Sequence, residues 1–414
     1  MVHSMRYEKL AERSVGDHAR VSRETEGLYA RHSLSQGMPG GARTETGKGA
    51  MDALVAAITR ETRLRFDLIH GGSGLESRSQ FVSIIRIAGK RRHDAIAESL
   101  GHYALKASRQ KIVVDVPAGQ SARLNFLVIC GNKDLPVEVI VNVGEGASLD
   151  LFEWWGSVSE GKTLIAPLHV VNAERDSRTE IDLLHNENGN TAVGNLRRII
   201  AHENASVKLN VIYNGGSTTK TSLFAEAAGQ GSYVSLNDIV LGNVGQAFDL
   251  GAFMLNSGAR SRTSIRSGLV LGGGAHCILK GYAKVSKDAR NSFTSVEQRG
   301  LLLDSASRAQ LLPDMSVGCR DVGSASHSAS AAPIDDEDLF YLMSRGMGRE
   351  SARRAFVASF MSRYLAGIGN DTVKEIAISM MLDKFDRDAL SGVPRMNARD
   401  RWIVPGTRSE DNEA

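Results

Sequence analysis

The stretch GEGASLDLF at Gly144–Phe152 sets a pattern that returns along the chain: a small or polar turn, an alanine or serine, then an alternating strand. It recurs as HENASVKLNV at His202–Val211, GQGSYVSLN at Gly229–Asn237, NSGARSRTSI at Asn256–Ile265 and SKDARNSFTSV at Ser286–Val296. From His202 onward the spacing is roughly 25 to 30 residues, and the interval before it is about twice that. A quasi-period of this size, with small corners at Ala147, Ala205, Ser232, Ala259 and Ala289, fits coils stacked side by side. Each coil then pairs its backbone groups with the next, which is a β-helix or β-solenoid. The competing architecture is a large β-sandwich whose hairpin turns recur.

Outward from these phrases, short strands separated by Gly/Asn/Ser turns fill the chain from about Gln110. They include Lys111–Val116, Leu124–Cys130, Val137–Val143, Arg178–Leu184, Arg262–Leu271 and Asn291–Glu297. Before them, Met51–Arg63 carries the helical spacing of Leu54, Ala57, Ile58 and Thr62, and Phe81–Ile87 reads as a strand. Helices are also expected at Tyr7–Leu10, Glu24–His32 and Asp94–Lys106 within a polar region. The Gly71–Gly74 loop lacks GK[ST] and is no phosphate-binding motif. The divisions are 1–109, helical and partly flexible; 110–332, the β-helix; 333–392, a helical domain; and 393–414, a tail.

Composition excludes several classes of function. With 42% apolar and 23% charged residues, the chain has a globular composition, and its net charge of +3 gives no electrostatic footprint for nucleic acid. No apolar run reaches membrane-spanning length, and the N-terminus lacks a signal peptide core, so the expected location is the cytoplasm. Three dispersed cysteines, Cys130, Cys277 and Cys319, make neither a disulfide framework nor a four-thiolate metal site.

Helical periodicity resumes at PIDDEDLFYLMSRGMGRESARRAFVASFMSRYLAGI, Pro333–Ile368. An acidic first turn opens one helix and Gly346 stops it; a second carries Ala352, Phe356, Phe360 and Tyr364 on one stripe. This segment, GLLLDSASRAQLLPDMSV at Gly300–Val317 and the GEGASLDL coil resemble the SufB/SufD family of the SUF iron–sulfur assembly machine. The resemblance covers roughly residues 120 to 385 and is strongest after Ser267. It implies a right-handed parallel β-helix core, an N-terminal helical region and a small C-terminal helical domain. It also implies pairing with a like subunit, identical or SufB-like, around Gly300–His327, and docking of a SufC-type ATPase on the C-terminal helices.

Two residues emerge as candidate ligands of a transient iron–sulfur cluster or iron at that subunit interface. His327, set among small residues in a turn before the helices, falls on the family's shared histidine and is the metal candidate. Ser328 replaces the acidic residue that follows it in SufB-like members. Cys319 lies eight residues earlier and can approach His327 if the chain bends back. The SufB-type cysteine is absent: near Glu297–Arg299 the chain reads VEQRG, which makes it SufD-like. The isolated chain is therefore expected to hold no stable cluster.

Other candidates carry less. His276 and Cys277 are adjacent and face opposite ways on a strand. Cys130 and Cys277 read as small buried hydrophobes. His185 and His202 lack a third ligand. Asp238 and Asp249 suggest the alternative function, a β-helix polysaccharide hydrolase or lyase working with paired carboxylates. Only 3 Trp, 8 Tyr and 12 Phe are available for a sugar-stacking cleft, and no Walker A motif is present. Phe340, Tyr341, Phe356 and Phe360 are expected mostly to pack inside the helical domain, with Arg345 and Arg349 at the rim of the ATPase contact.

Overall fold

From Gln110–Val116 onward, successive strands alternate between two sheets, so each coil gives one strand to each. The computed structural model describes residues 55–60, 62–71, 74–86, 110–334 and 336–386. Among the described residues one sheet has ten strands and the other nine, and from Gln110–Val116 onward neighbours within each are alternate strands of the chain. All pairs along the solenoid are parallel, which makes the body a β-solenoid of about eight turns. Antiparallel pairing occurs only at the N-terminal end among the described residues. Leu68–Gly71 pairs with Gly74–Ser77, and Val82–Arg86 pairs with Gln110–Val116.

The register shows why the sequence repeats. Ser148 pairs with Arg178, then Ser206, Tyr233, Arg262, Phe293 and Ser324 follow in the same row. At the corner before each row stands a residue of positive φ: Gly146, Asp176, Asn204, Gly231, Arg260 and Asn291. Gly, Asn and Asp tolerate this left-handed conformation best. Each of these N–H groups donates to a carbonyl in the next coil, from Gly146 to Arg175 through Asn291 to Asp321. The small residue that follows, Ala147, Ser177, Ala205, Ser232, Ser261 or Ser292, is buried. The long interval before His202 thus contains a full coil, with its corner at Asp176–Ser177. In the last two coils the corner is Ser261 and Ser292, not Ala259 and Ala289. Its hydroxyl closes the turn at Ser292, donating to the Ala289 carbonyl at 2.7 Å.

Alternating side chains of the two sheets fill the lumen, with Val114, Val141, Leu149, Val207, Val234 and Leu269 fully buried. The outer face of the ten-stranded sheet is also apolar, through Leu127, Phe152, Trp154, Leu184, Ile212 and Val270. Helices α1 (Asp336–Ser344), α2 (Arg349–Leu365) and α3 (Asp371–Asp386) follow the solenoid, and α2 and α3 cover this face. Gly346, at φ 92°, ends the first helical segment as expected. The buried residues of α2 are Ala352, Val357, Met361, Tyr364 and Leu365. Phe356 and Phe360 are half-buried, because a strict i+4 repeat walks about 40° round the helix at each step. Phe340 and Tyr341 depart further from expectation: they are 71% and 57% exposed. Around 51–63, the described residues are helical at 55–60 and at 62. The helices expected at 7–10, 24–32 and 94–106, and the tail at 393–414, lie outside the described residues.

Several polar contacts fasten the helices to the sheet. Asn237 Nδ2 donates to the Tyr364 carbonyl at 2.9 Å, Gly369 N to Glu180 Oε1 at 2.8 Å, and Lys384 Nζ to Gln246 Oε1 at 2.7 Å. Gly268 admits the Tyr364 ring, since a Cβ there would stand 2.5 Å from it. Replacing Gly268 by alanine is expected to lower stability by about 1–3 kcal/mol through overpacking. An unchanged urea midpoint in G268A would show that α2 does not need this approach.

Candidate functional site at the open terminal coil

His327 does not lie in a turn. Ser324–Pro333, SASHSASAAP, is the last strand of the ten-stranded sheet, and all ten residues are exposed. Serine and alanine have weak strand preference, so the sequence reads as a loop; pairing with Phe293–Leu302 makes it a strand. Its other edge has no strand partner among the described residues. Arg308–Val317 likewise ends the nine-stranded sheet, so among the described residues neither strand of this last coil has a neighbour on its outer side.

Register fixes the direction of the imidazole. His327 pairs with Val296, which is buried in the lumen, and parallel neighbours face the same side of a sheet. His327 therefore stands on the lumen side of the terminal coil, with Ala325, Ala329 and Ala331. Across the lumen, Ala309, Leu311 and Met315 pack on the core while remaining partly accessible. Cys319 sits elsewhere, in the turn before the strand, buried against Val285, Ala289 and the half-buried Val322. Its thiol faces this small apolar cluster and His327 faces the open lumen. Among the described residues, no group of three or more His, Cys, Asp or Glu is placed to hold a metal ion.

One coil deeper, Gln298 points into the lumen and Glu297 and Arg299 point outward, where the resemblance looked for a cysteine. Gln298 is 1% exposed, and its Oε1 has no hydrogen-bond partner among the described residues. It ends a file of buried polar groups inside the solenoid that the sequence did not reveal. Glu153 Oε2 pairs with His169 Nε2 at 3.0 Å and accepts from Trp155 Nε1 at 2.8 Å. His185 Nδ1 meets Glu187 Oε1 at 2.8 Å, and Arg197 donates to His185 Nε2 and to Tyr213 Oη, both at 3.0 Å. Asp238 accepts from Ser267 Oγ at 3.2 Å. Burial pushes the Asp238 carboxyl up to about 7, against the pull of Arg197 and Ser267. Burial also raises Glu153, but His169, Trp155 and Arg197 more than offset it and hold that carboxyl below its ordinary value.

The remaining candidates separate cleanly. Cys277 is buried in the lumen while His276 is exposed, and burial raises the Cys277 thiol well above its usual range. Cys130 is pushed to about 12 by the same cause. His185 is buried, whereas His202 lies at a corner 4.0 Å from Glu174. Asp238 faces the lumen, while Asp249 faces outward from the other sheet and pairs with Lys280 at 2.9 Å. They form no acid–base couple.

No described helix is long and apolar enough to cross a membrane. Residues 130–360, more than half of the chain, match the family model described as SUF system FeS cluster assembly, SufBD core domain. Among curated proteins, the chain is similar to an iron–sulfur cluster assembly SufBD family protein of Staphylococcus epidermidis. They are 25% identical over 255 residues, covering 61% of this chain and 54% of that protein. A namesake from Pyrococcus horikoshii is 29% identical over 203 residues, covering 42% and 45%. One from Mycobacterium leprae is 34% identical over 117 residues, covering 28% and 13%. The chain spans about half the length, or less, of these curated relatives. Built as a parallel solenoid and matched by the core model along most of it, the chain belongs to the SufBD family of iron–sulfur cluster assembly proteins.

Proposed function

We propose that this protein is a non-enzymatic subunit of the SUF assembly apparatus. It pairs through its open terminal coil with a second β-solenoid subunit, a copy of itself or a SufB-like partner. The carrying observation is the strand Ser324–Pro333. Edge strands of monomeric proteins are normally blunted by charges, bulges or cover. This one has no Lys, Arg, Asp or Glu, has an edge with no strand partner among the described residues, and leaves Leu311 and Met315 partly accessible beside it. The iron–sulfur cluster is the substrate of the assembly, held transiently at the joint with His327 as this chain's ligand. Cys319 contributes only if its turn opens. The site of action is the cytoplasm.

A SufC-type ATPase docks on α1. Phe340, Tyr341 and Met343 are exposed on it, and Met347 is exposed just after it. Arg345 lies over the Tyr341 ring at 5.2 Å, and Arg349 holds Asp336 at 3.2 Å, forming a polar rim. Exposed aromatic and arginine side chains in one patch are typical interface anchors.

Two substitutions test the joint. Ala329→Arg places a cation on the lumen side of the terminal strand, and light scattering of the native complex should show its paired solenoids separating. His327→Ala should leave assembly and ATPase binding intact while cluster delivery falls at least about tenfold, the loss of one good ligand interaction. Unchanged pairing in A329R would remove the proposed joint. Unchanged delivery in H327A would return His327 to a bystander.

A further inference from the structure

Glu297 on the outer face of the ten-stranded sheet is surrounded by three guanidinium groups. Arg299 Nε donates to its Oε1 at 2.9 Å, Arg363 Nη2 of α2 donates to the same oxygen at 2.8 Å, and Arg266 Nε lies 3.8 Å from Oε2. Glu297 is the carboxylate within ion-pair distance of each of them among the described residues, so the cluster carries an excess of two positive charges. The three arginine side chains are 44–46% exposed. A guanidinium has five donors in a planar fork, and the contacts to Glu297 use only part of that capacity.

A second observation points to a ligand. Tyr364 is fully buried on Gly268, yet its hydroxyl has no hydrogen-bond partner among the described residues. An unsatisfied buried hydroxyl is costly. The Tyr364 ring lies on Gly268, which pairs with Arg299 and follows Arg266 by two residues on the same strand, and Arg363 Cζ stands 5.5 Å from the ring centroid, which places the ring beside the cluster. Burial raises its pKa, so it keeps its proton and can donate to an anion. Register puts Ser328 in the row of Glu297 and Ser330 in the row of Arg299, adding two exposed hydroxyls one strand away.

We propose that Arg266, Arg299, Arg363 and the Tyr364 hydroxyl form a binding site for a phosphate-type oxyanion. Arginine forks match the paired oxygens of such a group, and the phenol supplies a directed donor from below. Glu297 spaces the cations when the site is free and opposes the ligand by like charge. It is therefore a brake on affinity and not a ligand.

The test is calorimetric titration of the full chain with inorganic phosphate and, separately, with adenosine monophosphate. Saturable binding of one anion per chain is expected. Tyr364→Phe keeps the ring on Gly268 and removes only the hydroxyl. It should weaken binding about tenfold, as for one hydrogen bond to a charged group, with no loss of thermal stability. Glu297→Gln should tighten binding severalfold, the opposite of what a purely structural ion-pair hub predicts. Tighter binding of the ester than of free phosphate would identify an esterified ligand, and equal binding a free one. Absence of saturable binding by the wild-type chain, unchanged affinity in Y364F, or weakened affinity in E297Q would each overturn the proposal.

Discussion

Replacing Trp155 by alanine is expected to cost roughly 3–5 kcal/mol of stability, the range for removing a large aromatic from a packed core. The ring is fully buried in the lumen and packs edge-on to His169, with centroids 5.8 Å apart, and tilted against His185 at 6.4 Å. Its Nε1–H is also one of the groups that hold Glu153 ionised, together with His169. Truncation would therefore open a cavity and strip a donor from a buried carboxylate. Trp155→Phe, which keeps most of the ring but loses the N–H, should cost distinctly less. Equal losses in the two variants, measured by urea unfolding, would show that the hydrogen bond to Glu153 and not the packing sets the effect.

Asp238→Asn should stabilise the protein at pH 8 and change little near pH 4. The folded carboxyl is raised to about 7 by burial, whereas an unfolded aspartate titrates near ~3.9. The folded state therefore binds the proton more tightly. That contribution is fully present below about pH 4 and is lost as pH rises through about 7. A shift of about three units, already net of the pull of Arg197 and Ser267, corresponds to at most roughly 4 kcal/mol. Asp182, raised to about 7 by burial beneath the helices, acts in the same direction. Glu153 acts oppositely: its lowered pKa gives stability that is lost as pH falls. Unfolding curves at pH 4 and 8 for wild type and D238N separate these contributions. A D238N variant that is weaker than wild type at pH 8 would mean that Asp238 works as the ionised partner of Arg197.

The solenoid was legible because its corners demand particular residues. Gly146–Ala147, Asn204–Ala205 and Gly231–Ser232 combine a left-handed position with a buried small one, and both requirements limit the side chains allowed. The coil at Asp176–Ser177 obeys the same rule but is hidden among Glu174, Arg175 and Arg178, whose charges read as an ordinary exposed turn. The polar file was not legible, because period-2 patterning assumes that lumen positions are apolar. In TEIDLLHNEN at 179–188, His185 faces in and Asp182 faces out beneath the helices, and only the register decides which. His327 reads from sequence as part of a turn, since nothing in SASHSASAAP announces a strand. The Arg–Glu–Tyr cluster joins residues some 66 positions apart and has no local signature.

The most direct test of the account is anaerobic affinity purification of the full chain from its native host, with partner identity and metal content measured together. The expected result is a stoichiometric complex that contains an ABC-type ATPase, at least two solenoid subunits and substoichiometric iron, with the ATPase lost on Phe340→Glu and the pairing lost on Ala329→Arg. Recovery of the wild-type chain as a lone monomer, without ATPase or iron, would contradict it.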